Sequence, residues 1–296
     1  MKLFSFEVLF GQLLVGAILL GGLYALVTIG LALIFGVMRI LNIAHGEFII
    51  FGAYATYWIS HLLRFDPFLS IVLAVPVSGL LGFLVNTLVI KGLTKSFDAP
   101  IVSSFGLLLV LQASMLIAWS GDPRSIVTPF TAESIRLGLV LVPIVRLIAF
   151  VISLSILMLL YLFLTRTFAG RAVRAIAQDS EAAATLGIPV QRLQTFTFVL
   201  STCLAGLSGG LVAMIVSFQP TLGPEFLLKS FVILALAGVG NIQGIMAGGL
   251  ILSIAESYGS FFLGSGLRNV VAYLLLIVLL LTRPRGLFGE KQVREV

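Results

Sequence analysis

Along this chain apolar residues do not alternate with polar ones. They run uninterrupted for a membrane's width at a time, and charges collect between the runs. Residues 8–38, 67–90, 99–121, 147–165, 193–224, 231–255 and 269–282 contain no Asp, Glu, Lys or Arg. A helical crossing needs about 20 apolar residues, so most of these runs predict one membrane helix each. The run ending at Thr165 predicts a span starting near Leu139, with Arg146 close to its outer end. The last run is short and predicts a start near Gly264, with Arg268 reaching outward along its aliphatic stem. Residues 42–60 are also apolar but carry His45 and Glu47 near their start. The pattern therefore predicts an all-α polytopic bundle of about eight or nine membrane segments, at roughly 20 residues each.

Composition says what solvent these helices meet. The chain is 59% hydrophobic and 10% charged, with mean hydropathy +1.17. A soluble domain is about one quarter charged, and a chain of this size with so few charges could not cover itself in water. Lipid is the solvent for most of it. The start of the chain does not resemble a cleavable signal, since its apolar run continues to Met38, so it reads as a retained first span.

The net charge of +6 and pI near 9.8 do not point to nucleic acid, because the basic residues are spread over short connections. Distributed in that way they orient a membrane protein, since Lys and Arg favour cytoplasmic loops. The connection 166–194, with Arg166, Arg171, Arg174 and Arg192, and the tail 283–296, with Arg283, Arg285, Lys291 and Arg294, are expected in the cytoplasm. The 91–98 link, with Lys91 and Lys95, falls on the same side, and 121–138 falls outside.

Parity then exposes a difficulty. Between a span at about 196–218 and another at 264–282, the chain must cross an even number of times. Residues 226–258 hold about one span's worth of apolar residues, divided by Gly238, Gly240, Gly244, Gly248 and Gly249. Two half-length helices meeting at the glycines resolve the count, either as a re-entrant pair or as two short tilted crossings. Irregular backbone at membrane depth needs protein or a watery cavity to satisfy it. Close helix packing through small residues explains the same glycines equally well.

Candidate chemistry is sparse. His45 and Glu47 are ionisable groups in an apolar segment, which implies a cavity or partner, or else an interfacial turn with wetted side chains. His45 and His61 are the only histidines and lack metal-site spacing, so no metal is expected. The single Cys203 excludes an intrachain disulfide or a cysteine-based metal cluster. Gly206-Leu-Ser-Gly-Gly210 fits a loose G-x-S-x-G pattern, but no histidine follows position 61 to serve as base, so no catalytic residue is assigned and helix packing is the better reading. There is no phosphate-binding G-x-x-x-x-G-K-S/T loop, so ATP hydrolysis would have to come from elsewhere. In the basic connection, Gly170 precedes a helical stretch with Val173, Ile176 and Ala177 on one face and Arg171, Arg174 and Gln178 elsewhere. Ser180-Glu181 opens a second short helix through Leu186, closed by Gly187 with Pro189 beyond. Such a pair is a docking knob for a cytoplasmic protein or a lipid-surface helix.

The chain resembles the bacterial branched-chain amino-acid ABC transporter permeases, in particular the smaller of their two paired membrane subunits. The resemblance covers nearly its whole length. It rests on 30–36 (GLALIFG), 42–47 (NIAHGE), 52–54 (GAY), 171–188, 238–244 (GVGNIQG) and 283–289 (RPRGLFG). It implies one transmembrane permease domain over 1–296, in the bacterial inner membrane, whose pore is completed by a second related permease. It also implies two cytoplasmic ATP-binding subunits, which use ATP and Mg while this chain binds no cofactor, and a periplasmic amino-acid-binding protein. By this resemblance Gly170, Arg171, Arg174, Asp179, Glu181, Ala182 and Gly187 would dock the ATPase. Asp179-Ser-Glu181 departs modestly from the family pattern there. Asn42, His45 and Glu47 would line the pathway near one mouth, and Gly238, Gly240, Asn241 and Gly244 deeper in. The family's default substrates are leucine, isoleucine and valine. A secondary transporter or channel for small amides or urea is the alternative, and it would have no use for a docking loop.

Overall fold

A computed structural model describes residues 2–92, 98–238, 241–283 and 286–287. Helix α1 (Lys2–Met38) is followed by α2 (His45–Leu63), α3 (Pro67–Val85) with a π-helical turn at Asn86–Ile90, and α4 (Asp98–Trp119). A β-hairpin of β1 (Ser134–Leu137) and β2 (Val140–Pro143) precedes α5 (Ile144–Arg166), α6 (Phe168–Gln178) and α7 (Ser180–Thr185). Then come α8 (Val190–Ile215), α9 (Gly223–Ala237), α10 (Ile242–Leu263) and α11 (Arg268–Thr282). This is a helical membrane protein. Against the expected eight or nine segments, seven helices among the described residues are long and apolar enough to cross a membrane. They are α1, α3, α4, α5, α8, α9 and α10, with α11 shorter.

Two predicted helix starts move for local reasons. The span ending at Arg166 begins at Ile144 rather than near Leu139, because Gly138, at φ +61°, turns the chain and 140–143 pair with 134–137. The last helix begins at Arg268, after a 3₁₀ turn at Ser265–Leu267. Helix α3 starts where an Asp-Pro pair dictates: the Asp66 carboxylate accepts from Phe68 N–H at 2.9 Å, and Pro67 occupies the first turn.

The helices share two ends. At one, Arg39 Nη2 donates to the Gln178 carbonyl at 3.4 Å, and Asn86 Nδ2 to Thr195 Oγ1 at 3.0 Å. Leu287 N–H donates to the Leu236 carbonyl at 2.9 Å at the same end. This basic end gathers Arg39, Lys91, Arg166, Arg171, Arg174, Arg192 and Arg283. At the other, the Gln12 side chain bonds Leu141 through both N–H and C=O (2.6 and 2.8 Å), and Arg124 pairs with Phe218.

Following the chain between these ends reveals two inverted halves. Helix α1 descends to the basic end, residues 39–44 turn back inside, and α2 climbs away. His45 Nε2–H donates to the Val27 carbonyl at 3.0 Å, which places the start of α2 about 17 Å up from the end of α1. Helix α8 makes the opposite journey to the hairpin end. Residues 216–222 re-enter, and α9 starts inside and runs to the basic end. The two inner starts touch: a Cβ on Gly46 would collide with the Gly223 carbonyl. Helix α1 packs against α5, α8, α9 and α10, and α8 against α1, α2 and α3. These inner helix starts lie against protein, as irregular backbone at membrane depth requires.

Close approach along α8 uses the small residues of the G-x-S-x-G run. Gly206 faces Gly52 and Ser78, Gly209 faces the Ile49 carbonyl, and Gly210 faces Thr56 and Ile71. Ser208 is fully buried and donates to its own helix at the Ala205 carbonyl, 2.8 Å away. The run is a packing seam of small residues.

Candidate functional site

The helical pair at the basic end begins where α5 stops. Thr167 caps α6, its hydroxyl accepting from Gly170 N–H at 3.0 Å. Gly170 itself is buried: any Cβ there would strike the Phe163 carbonyl. Expected among the docking residues, it instead permits the tight α5–α6 corner. Ala172, Val173 and Ile176 are buried among the hydrophobic core while Arg171 and Arg174 face outward, as the amphipathic pattern predicted. The buried face of α6 rests on α1, α5 and α8, so protein rather than lipid covers it. Asp179 then caps α7, its Oδ1 accepting from Glu181 and Ala182 N–H at 2.9 and 3.0 Å. Gly187 closes the pair at φ +81°, with its own N–H on Ala184 and that of Ile188 on Ala183, a pattern that glycine adopts without strain. Asp179, Glu181, Ala182 and Gly187 are all exposed.

Asn42, His45 and Glu47 are each fully buried. They form the inner junction where α2 and α9 begin, away from either end. The expected placement near a mouth and the alternative of a wetted interfacial turn are both corrected by that burial. Asn42 Oδ1 accepts from Ala44 N–H at 3.2 Å. Asn42 Nδ2, His45 Nδ1 and both Glu47 oxygens have no hydrogen-bond partner among the described residues. Glu47 abuts Gly223, so its carboxyl group sits where α2 and α9 both begin.

The glycine-rich break between α9 and α10 is present. Gly238 ends α9 at φ +74°, and Asn241 caps α10 by accepting from Gly244 N–H at 2.9 Å; Gly240 lies outside the described residues. The break lies at the basic end rather than deeper in, so α9 and α10 resolve the parity as two separate helices and not as a re-entrant pair. Small-residue packing holds as well, with Gly244 against Ala237 and Gly248 against Ile233. Between the break and α6 a cavity of about 630 Å³ opens, lined in part by Leu33, Gly36, Tyr161, Arg174, Gln178 and Asn241. It joins the α6 helix to the α9–α10 break, two elements 60 residues apart in sequence.

Sequence reasoning missed an ion network inside the bundle. Lys229 Nζ lies 2.9 Å from Glu225 Oε1 and 3.4 Å from Glu256 Oε1, while Arg268 Nε lies 3.0 Å from Glu256 Oε2. The Tyr24 hydroxyl donates to Glu256 Oε2 at 2.7 Å and accepts from Lys229 Nζ at 3.0 Å and Arg268 Nη2 at 3.2 Å. Two carboxylates balance two cations across α1, α9, α10 and α11. The signal was present, because Glu225, Lys229 and Glu256 are the charges that bound the apolar runs. Read as boundaries, they were not read as occupants.

Inverted halves with broken helices and an exposed helical pair at the basic end define a polytopic transport-type membrane protein. The family model for the permease component of branched-chain amino acid transport systems matches residues 13–280, and the chain belongs to that family. It is 30% identical to the high-affinity branched-chain amino acid transport permease BraD of Pseudomonas aeruginosa, over 96% of this chain and 97% of that protein. It is 27% identical to LivH of Escherichia coli, described in the same words, over 97% and 98% of the two chains. Among solved structures, PsaBC from Streptococcus pneumoniae in complex with Fab matches with a TM-score of 0.53 at 16% identity, over 93% of this chain and 92% of that one; this likeness concerns the fold.

Proposed function

We propose that this chain is a passive membrane subunit of an ATP-driven importer of branched-chain or related amino acids in the bacterial inner membrane. It would form half of the pathway beside a second related permease. Two cytoplasmic ATP-binding subunits would supply the energy, with ATP and Mg held there, and a periplasmic binding protein would deliver the amino acid. The basic end is then cytoplasmic, in keeping with its Lys and Arg.

The observation that carries this reading is the α6–α7 pair. It is anchored by a buried face on three membrane helices and presents Arg171, Arg174, Glu181 and Ala182 outward. A rigid lever of this kind passes the movement of a docked protein into α5 and α8. The cavity beneath it lies between the same pair and the α9–α10 break.

Purification of the tagged chain from cells expressing its neighbouring transport genes tests this directly. Recovery of an ATPase, and amino-acid uptake into proteoliposomes that requires ATP, are expected. Uptake that persists without the ATPase would instead mark a secondary transporter.

A further inference from the structure

Within the ion network two charges are closed in and two are not. The side chains of Glu256 and Lys229 are 0% and 5% exposed, whereas those of Glu225 and Arg268 are 31% and 37% exposed. Those two rim charges lie inward of the helix ends. Arg268 is drawn down to Glu256, about 10 Å inside the end of α10. Glu225 lies in the first turn of α9, which starts beside Gly46 in the interior. Opening a charge to lipid at such depth costs about 2.5–3.5 kcal/mol per residue by insertion measurements. Ionisable groups held there face a watery cavity or a counter-charge instead.

We propose that Glu225 and Arg268 are the recognition pair for a zwitterionic amino acid in transit. Glu225 takes the α-ammonium group and Arg268 the α-carboxylate. The inner members of the network make this exchange possible. In the structure Lys229 holds Glu225 at 2.9 Å, with the Asn269 side chain also hydrogen-bonded to it, and Glu256 with Tyr24 holds Arg268 at 3.0 and 3.2 Å. When the zwitterion arrives, each rim charge acquires a second counter-charge while Lys229, Glu256 and Tyr24 remain paired with one another. No buried charge is left uncompensated in either state, which is the condition for a reversible site at this depth. Two opposite charges fit an α-amino acid; a sugar or urea can hydrogen-bond to either one but brings a counter-charge to neither.

The proposal rests on the importer reading, and the test separates the two. The full complex in proteoliposomes is assayed for ATP-driven uptake of radiolabelled leucine and for ATP hydrolysis stimulated by the leucine-loaded binding protein. Glu225→Gln and Arg268→Gln should each lower leucine uptake roughly tenfold to a hundredfold while stimulated hydrolysis stays within about twofold. Glu225→Asp, which keeps the charge, should recover much of the uptake. Equal impairment of Asp and Gln variants in an intact complex, or full uptake by Glu225→Gln, overturns the proposal and leaves the importer reading standing. If the Gln variants do not assemble, Asn269→Cys in a Cys203→Ser background decides, since Asn269 is half-buried and hydrogen-bonds Glu225. Reaction with a membrane-impermeant thiol reagent, slowed by loaded binding protein, supports the site, and no reaction overturns it. Absence of ATP-driven leucine uptake by the wild-type complex removes the importer reading and the proposal together.

Discussion

Replacing Lys229 with methionine isolates the worth of the buried ion network. Lys229 Nζ touches two carboxylates and the Tyr24 hydroxyl, so Lys229→Met keeps the aliphatic bulk and deletes three contacts at once. Glu256, fully buried, would be left with Arg268 and Tyr24 alone, and the cluster would carry one excess negative charge. Removing one member of a buried pair costs about 3–5 kcal/mol. Arg268 remains to share the load, so the lower limit applies. At about 2 °C per kcal/mol for a chain of this size, the apparent Tm in detergent should fall by about 6 °C. The double variant Lys229→Met/Glu256→Gln restores neutrality and should fall by less than the sum of its two single variants. A coupling of at least about 1 kcal/mol is expected from groups in direct contact. Scanning fluorimetry of the four proteins closes the cycle. Strictly additive shifts would refute the network as a mutually compensating unit, because they would mean that each charge is solvated independently.

Three further outcomes follow from close contacts. Gly46→Ala and Gly223→Ala each place a Cβ against the backbone or carboxylate of the other inner helix start, where little can yield. Each should destabilise by about 1–3 kcal/mol as overpacking does, read as a lower apparent Tm and reduced membrane yield. Gly187→Pro cannot adopt φ +81° with its fixed ring, so it should disorder the α7 end and uncouple ATP hydrolysis from uptake while the chain still inserts. Unchanged uptake at normal expression would count against the docking role. Asp179→Ala removes the oxygen that caps α7 and should weaken retention of the ATPase subunit, with a local cost of about 1 kcal/mol and little change in apparent Tm.

How much was legible beforehand depends on how far along the chain each contact reaches. The α6–α7 pair was read almost residue by residue, since caps, amphipathic faces and a terminal glycine are set within four or five positions of one another. Even there Gly170 was misplaced: its burial depends on the angle at which α6 folds back on Phe163, which is not a local property. The break near Gly238 and Asn241 was visible as composition, but its position at the basic end required knowing what α9 and α10 pack against. His45 and Glu47 looked like wetted or mouth residues because they stand at the start of their apolar segment, where burial costs less. The chain turns back inside at 39–44 and carries them about 17 Å along α1.

Charge spacing and apolar run length by themselves determined that this protein lives in lipid, that it is built of helices, and which end is basic. These are transfer free energies summed over contiguous residues, so they need no partners. Tertiary structure alone decided that the two halves run in opposite senses, that Gly46 meets Gly223, and that Tyr24 reaches Lys229, Glu256 and Arg268 across more than 200 residues. Each of these couples segments whose spacing in sequence carries no periodic trace. The charges that mark where a span ends in one dimension are, in three, the charges that meet within the bundle.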